Sequence, residues 1–246
     1  MTTKGKKVAL ITGANKGIGF ETARQLGAQG ITVLMGSRDV SKGEGAASAL
    51  KKEGIDARAV KLDVDAPADH TAVAKAVERD FGALDILVNN AGVLIDRRPE
   101  NDTSVTSVEV LRRTFDTNFF AVVALTQTLL PLLRKSAAGR IVNLSSILAS
   151  SALHATKGSP IYNAKTFAYD ASKTALNTFT IHLAHELAGT KIKVNSADPG
   201  WVKTEMGGKG AVLEIADGAK TSVRLATLPE DGPTGGFFHL KKSLPW

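Results

Sequence analysis

Val8-Ala9-Leu10-Ile11 runs straight into Thr12-Gly13-Ala14-Asn15-Lys16-Gly17-Ile18-Gly19, and a segment of helical period follows to residue 28. An apolar run without polar alternation suits a strand buried on both faces, as in a parallel sheet covered by helices. A glycine-rich turn out of such a strand lets backbone approach an anion that the next helix faces with its N-terminus. The spacing here is G-x-x-x-G-x-G and departs from the G-x-G-x-x-G dinucleotide fingerprint. The demands are the same: a tight turn, no Cβ between backbone and pyrophosphate, and a helix packed closely on the sheet.

The alternation continues along the chain. Short β-rich runs at 7–12, 31–35, 57–62, 84–88, 140–144, 191–196 and 236–240 alternate with helical-period segments at 17–28, 41–53, 66–81, 104–134, 167–187 and 216–226. This predicts βαβ units in an α/β fold, a Rossmann-type doubly wound sheet with helices on both faces. No linker, repeat or low-complexity tract interrupts it, so residues 1–246 read as a single domain. In such a sheet ligands sit beyond the carboxyl ends of the strands, near the reversal of strand order. The chemistry is therefore sought just after each strand.

Composition narrows the function. The 246 residues are 43% hydrophobic and 22% charged, with a net charge of +7. The basic pairs Lys6-Lys7, Lys51-Lys52, Arg97-Arg98, Arg112-Arg113 and Lys241-Lys242 are scattered, and aromatics make up only 5%. They read as solvated surface and not as a nucleic-acid face, which needs stacking platforms between its cations. The absence of cysteine excludes disulfides, thiolate metal sites and a cysteine nucleophile. His182, His185 and Glu186 share one helical turn but do not form H-E-x-x-H and have no evident third ligand, so no metal is expected. Val8 to Ile11 is too short for a signal-peptide core, and Phe119 to Leu133 is broken by Thr126, Gln127, Thr128 and Pro131. That stretch is shorter than the roughly 20 residues of a membrane span, so a cytoplasmic location without membrane association is expected.

The end of the second strand decides the dinucleotide. An acid there hydrogen-bonds a ribose 2′-hydroxyl, whereas an arginine accommodates a 2′-phosphate. The strand ends Gly36-Ser37-Arg38, which favours NADP(H), with Lys16 as a second cation. Asp39 is either a competing acid or the cap of the next helix.

Tyr169 and Lys173 are four apart and share a face of the 167–187 helix. Moving a hydride onto a ketone or aldehyde creates an alkoxide, which needs a proton donor and hydrogen-bond donors. A phenol has a pKa of about 10, and a neighbouring ammonium favours its phenolate. Tyr162, the other tyrosine, has Lys165 three residues on, but Gly158, Pro160 and Asn163 mark its surroundings as loop and give it a substrate-side or packing role. Ser145 and Ser146 fall on opposite faces of the strand end, and alternation does not say which faces the site.

These motifs together resemble the short-chain dehydrogenase/reductase family, in its carbonyl reductase-like branch. The resemblance rests on the Thr12–Gly19 loop, Leu62-Asp63-Val64, Asn89-Asn90-Ala91-Gly92, Asn118, Asn143-Leu144-Ser145-Ser146, Tyr169-Asp170-Ala171-Ser172-Lys173 and Pro199-Gly200-Trp201-Val202-Lys203-Thr204, in family order over residues 8–238. It implies a seven-stranded parallel sheet. It implies that Gly13, Asn15, Lys16, Gly17, Ile18 and Gly19 cradle the pyrophosphate side of NADP(H), with Arg38 at the 2′-phosphate. Asp63 and Val64 would hold the adenine, and Asn90, Ala91 and Gly92 would lie along the nicotinamide ribose. Pro199, Gly200, Val202 and Thr204 would cover the nicotinamide.

For catalysis the resemblance implies Tyr169 as general acid, Ser146 on the substrate oxygen, Lys173 also on the ribose, and Asn118 holding a water in a proton relay. The function implied is hydride transfer between NADPH and a small-molecule ketone or aldehyde. The alternative is a non-catalytic NADP(H)-binding sensor, which would have no need of the relay. Between Ser146 and Tyr169 lie 22 residues, and the insertion around 153–166 would line the substrate side. In relatives a long form of this segment obstructs subunit pairing, so both a monomer and a homo-oligomer stay open. Glu205 to Gly210 reads as a mobile lid or a plain loop. The pocket residues 93–98, 147–162 and 206–213 are too mixed in polarity to name a substrate.

Overall fold

Val8–Ile11 forms β1, buried along its whole length between β2 (Thr32–Ser37) and β4 (Ile86–Asn89) and parallel to both. A computed structural model describes residues 6–96 and 102–246; Arg97 and Arg98 lie outside them. The other strands are β3 (Ala57–Lys61), β5 (Arg140–Leu144), β6 (Lys193–Ala197), β7 (Phe237–His239) and β8 (Lys242–Ser243), in the order β3-β2-β1-β4-β5-β6-β7-β8. The strand order reverses between β1 and β4.

Period-two alternation divides β1 between two helical layers. Ala9 and Ile11 pack with α1 (Gly17–Gly27), α2 (Val40–Lys52) and α8 (Ile215–Ala226), through residues such as Leu26, Leu50 and Val223. Val8 and Leu10 pack on the other face with α3 (Pro67–Phe81), α5 (Ala121–Arg134) and α7 (Phe167–Glu186), through Val73, Val77, Leu125, Leu129 and Leu183. Each buried leucine contributes about 1.5–3 kcal/mol.

Two elements differ from expectation. The sheet has eight strands, because Leu240 and Lys241 turn the chain back and β8 pairs antiparallel with β7. Leu240 takes a positive φ of 50°, and the turn is held by Thr221 Oγ1, which accepts its N–H at 2.8 Å, and by Arg224 Nε, which donates to its carbonyl at 2.7 Å. A two-residue strand is too short for alternation to reveal. The helix expected over 104–134 is instead α4 (Val108–Phe115), a π turn at Asp116–Phe120, and α5. A π turn slips the ladder by one residue without changing composition, so periodicity passes over it. As a whole, Val108–Arg134 is long and apolar enough to cross a membrane by length and composition, unlike the shorter stretch weighed above. Leu125, Leu129, Leu132 and Leu133 are nonetheless spent on the sheet.

A buried polar chain fixes α5 and α7 on the sheet just below the strand ends. Asn89 Nδ2 donates to Thr126 Oγ1 (3.0 Å) and Asn143 Oδ1 (2.9 Å), Asn143 Nδ2 to Thr180 Oγ1 (2.8 Å), and Ser196 Oγ to the same Thr180 oxygen (2.9 Å). Such groups are costly unless paired, so they select one register of helix on strand. A 3-10 turn at Ile147–Ala149 and the short α6 (Ser151–Ala155) lie between β5 and α7.

Candidate active site

A cleft of about 1350 Å³ opens beyond the carboxyl ends of β1 and β4, at the reversal point. The glycine turn forms one wall. Gly13 has φ +63°, and a Cβ on Gly19 would lie 2.5 Å from both Asn90 Nδ2 and the Gly13 carbonyl. Lys16, at the N-cap of α1, makes no side-chain cap bond, which leaves the first-turn N–H groups to an anion. Asn90 braces the turn, donating from Nδ2 to the Thr12 carbonyl at 2.7 Å, while Thr12 Oγ1 accepts the N–H groups of Asn90 and Ala91, each at 2.9 Å.

Asn15, Gly17, Ile18, Arg38, Asp63, Val64, Ala91, Gly92, Pro199 and Thr204 also line the cleft. Gly200 and Val202 lie behind it. Val202 packs on α8, where a Cβ on Gly218 would come within 2.5 Å of its Cγ2, and Gly200 (φ +75°) is closed in by Leu213 and His239. At the end of β2, Ser37 Oγ donates to the Asp39 carbonyl (2.8 Å), and Asp39 Oδ1 accepts the Lys42 N–H (3.0 Å) as the cap of α2. That bond holds the Asp39 carboxyl below its ordinary range. Arg38 is exposed and makes no ion pair among the described residues.

Tyr169 and Lys173 lie one turn apart on α7, both buried, with their side chains in the cleft wall. Burial pushes the Tyr169 phenol well above its usual value, a hydrogen bond with the Ser146 hydroxyl pulls it back, and the carboxylates of Asp198, Asp170 and Asp96 push it further up. Burial also lowers Lys173 to about 8. Its ammonium donates to the Leu144 carbonyl at 2.7 Å and sits 5.7 Å from the Tyr169 ring centroid. The expectation that Lys173 depresses the phenol is therefore corrected: loss of solvent sets the direction of both shifts, upward for the phenol and downward for the ammonium.

The lysine shift has a stability consequence. Between about 8 and the ordinary lysine value near 10.5, the unfolded chain binds more protons than the folded one, so stability rises with pH across that window. Urea unfolding at pH 7.5 and 9.5 is expected to show this gain in the wild type relative to Lys173→Met.

Ser145 lines the cleft and Ser146 lies behind its wall, but their hydroxyls have different partners. Ser145 Oγ donates to Asn177 Oδ1 on α7 at 2.8 Å, whereas Ser146 is the one beside the phenol. Asn118, wholly buried in the π turn, accepts the Val93 N–H (2.8 Å) and donates to the Val93 carbonyl (2.9 Å) and Ser172 Oγ (3.0 Å). Its amide donors are thus used in bracing the loop after β4 and α7, and a relay would have to use its backbone. Tyr162 is partly exposed on the insertion, with Lys165 Nζ 5.4 Å from its ring centroid, and does not line the cleft. His182, His185 and Glu186 are exposed on α7.

The 205–210 segment forms a turn at the edge of the cleft, with Glu205 and Met206 in its lining. Trp201 Nε1 donates to the Gly207 carbonyl at 2.8 Å, Thr204 Oγ1 accepts the Gly207 N–H at 3.1 Å, and a Cβ on Gly210 would strike the Trp201 ring at 2.5 Å. Glu205 and Lys16 form an ion pair that clasps this turn to the phosphate loop.

Asp96 was not anticipated. Its side chain has no exposure, and Oδ2 accepts the N–H groups of Ala168 (2.7 Å) and Tyr169 (3.3 Å), capping α7 from a loop 72 residues away. Thr166, at the N-cap itself, supplies no side-chain cap. No local pattern marks so distant a cap. Asp96→Ala is expected to cost about 1–3 kcal/mol in urea unfolding, and Asp96→Asn less, because it keeps an acceptor and buries no charge.

A family model described as short chain dehydrogenase matches residues 7–211. NADPH carbonyl reductase 1 of Mus musculus is 33% identical, with 99% of this chain and 100% of that protein covered. Among solved structures, salutaridine reductase from Papaver somniferum superposes with a TM-score of 0.81 at 31% identity, covering 95% of this chain and 99% of that one. NADPH-bound carbonyl reductase from chicken fatty liver gives 0.84 at 25%, covering 98% and 99%. Likeness that extends through the sheet, the glycine turn and the Tyr169 helix alike means that this chain belongs to the short-chain dehydrogenase/reductase family.

Proposed function

We propose that this protein is an NADPH-dependent reductase of small-molecule ketones or aldehydes, with Tyr169 as the proton donor. The observation that carries this reading is the buried Tyr169 phenol, with Lys173 one turn on, in the wall of the same cleft that the uncapped N-terminus of α1 faces. The cleft fits a phosphorylated dinucleotide: the glycine turn admits backbone approach, and Arg38 is unpaired among the described residues. The relatives named as NADPH carbonyl reductases support the same cofactor. When bound, it supplies the hydride.

The chain's own residues handle the proton. A phenol held above its ordinary pKa stays protonated at neutral pH, so Tyr169 is loaded as an acid for the alkoxide oxygen formed on reduction. Ser146 donates a hydrogen bond to that oxygen and meanwhile orients the phenol. Lys173, at about 8, exchanges its proton closer to neutrality than an ordinary lysine and can restore the phenol through a water.

The test is NADPH consumption across a panel of ketones, aldehydes and quinones, repeated with NADH. Turnover of at least one carbonyl, faster with NADPH, is expected. Tight NADPH binding with no turnover of any carbonyl or alcohol would instead establish the sensor reading.

A further inference from the structure

Asp198 follows directly on β6 and opens the Pro199-Gly200 turn, and its side chain is only 5% exposed. Both carboxylate oxygens are engaged. Oδ1 accepts the N–H of Ile147, the residue after Ser146, at 2.9 Å, and Oδ2 lies 3.0 Å from His239 Nδ1 at the end of β7. The same ring nitrogen faces the Asp198 carbonyl at 3.2 Å, so with two oxygens before it Nδ1 carries a proton. The Asp198 N–H completes the knot by donating to the Phe238 carbonyl at 2.8 Å. One carboxylate thus ties the ends of β5, β6 and β7 together around the Ser146 turn.

We propose that Asp198, with His239 as its partner, is a positioning residue for the reaction assigned to Tyr169: it locks the Ser146-Ile147 turn to the Asp198–Gly200 turn, and the charge of the pair tunes the phenol. The proposal rests on the reductase reading. The groups facing His239 are Asp198 from β6, which holds its pKa above the ordinary range, and Lys242 from β8, which opposes this. Arg224 of α8 lies over the neighbouring Phe238 ring. The groups acting on Tyr169 are Ser146, Asp198, Asp170 and Asp96, with Lys173 beside its ring; Asp198 is the strongest of the charges that raise its pKa. While His239 is protonated the pair is neutral overall. As pH rises through the His239 pKa the imidazolium is lost, the Asp198 charge acts on Tyr169 uncompensated, and the phenol becomes a weaker acid. Carbonyl reduction should therefore slow across that titration.

The experiment compares kcat at saturating NADPH, with the best carbonyl of the panel, at pH 6 and pH 9. A limb due to Lys173 persists in every protein, so the readout is the pH 6 to pH 9 ratio of each variant against the wild type. The ratio is expected to be at least about threefold larger in the wild type than in His239→Gln, which has no imidazolium to lose, and Asp198→Asn, whose His239 titrates lower, should fall between them. Asp198→Asn keeps an acceptor for Ile147, whereas Asp198→Ala does not and should lose a further factor of about ten in kcat with KM changed less than about threefold. Equal ratios in the wild type and His239→Gln, or Asp198→Ala no slower than Asp198→Asn, would overturn the proposal. A readout independent of turnover is the imidazole NMR titration of His239. Its pKa should fall in Asp198→Asn, and an unchanged titration refutes the pair even if no carbonyl is ever reduced, an outcome that would count against the reductase reading alone.

Discussion

Tyr169→Phe is expected to lower kcat for any accepted carbonyl by about 10²–10⁴-fold, the range a positioned general acid contributes, while NADPH binding stays within about threefold of wild type. The ring is 93% shielded from solvent by its surroundings, with 7% exposure, so phenylalanine keeps the packing and removes only the hydroxyl. That hydroxyl is both the proton to be given and the partner of Ser146. The dinucleotide would meet the glycine turn and Arg38, which this change does not touch. The direction of reaction adds a second signature. In reduction the acid form works, and burial keeps Tyr169 protonated through neutral pH; in alcohol oxidation the phenolate is needed, so the wild-type oxidation rate should climb with pH well above neutrality. Stopped-flow NADPH oxidation and a fluorescence titration of NADPH measure the two halves. A variant that turns over at the wild-type rate would remove Tyr169 from the mechanism, and one that fails to bind NADPH would show that the loss is not chemical.

The parts of this molecule that follow local rules were legible in the sequence. Val8–Ile11 is apolar on both faces because helices cover both, Gly13 takes a positive φ, and Gly19 stands where a Cβ would collide. Tyr169 and Lys173 meet because a helix repeats every 3.6 residues. What escaped was of two kinds. Short irregularities leave composition unchanged: the π turn that buries Asn118 slips the ladder by one residue, and β8 is two residues long. Contacts made only by folding have no local trace: Asp96 caps α7 across 72 residues, and Asp198 meets Ile147 across 51. Ser146 was separated from Ser145 by resemblance alone, because the deciding bond, Ser145 to Asn177, belongs to the packing of α7 on β5. The electrostatics of the tyrosine and lysine escape the sequence for a related reason. Spacing gives their proximity, but the loss of solvent that dominates both depends on everything packed around them.

Arg38→Ala is expected to weaken NADPH binding by about 10–100-fold, the worth of charge-assisted hydrogen bonds to a phosphate, and to leave NADH binding within about threefold. The ratio of kcat/KM for NADPH over NADH should fall by the same factor. The competing view was that Asp39 reads the ribose, and its geometry argues against this. Its Oδ1 is committed to the Lys42 N–H at the start of α2, and its Oδ2 lies 3.4 Å from the Lys42 ammonium. Ser37 is no substitute acid, for its hydroxyl is buried and turned to the Asp39 carbonyl. Arg38 is thus the group at the end of β2 that lines the cleft with its charge unspent among the described residues. Lys16 also lines the cleft, but it is paired with Glu205, so a 2′-phosphate would have to compete with that carboxylate for it. Lys16→Ala should consequently cost less than Arg38→Ala, and the Arg38 effect should shrink as salt rises, because both partners sit near solvent. Unchanged cofactor preference in Arg38→Ala would transfer the selection to Lys16, and the double variant would then carry the whole loss.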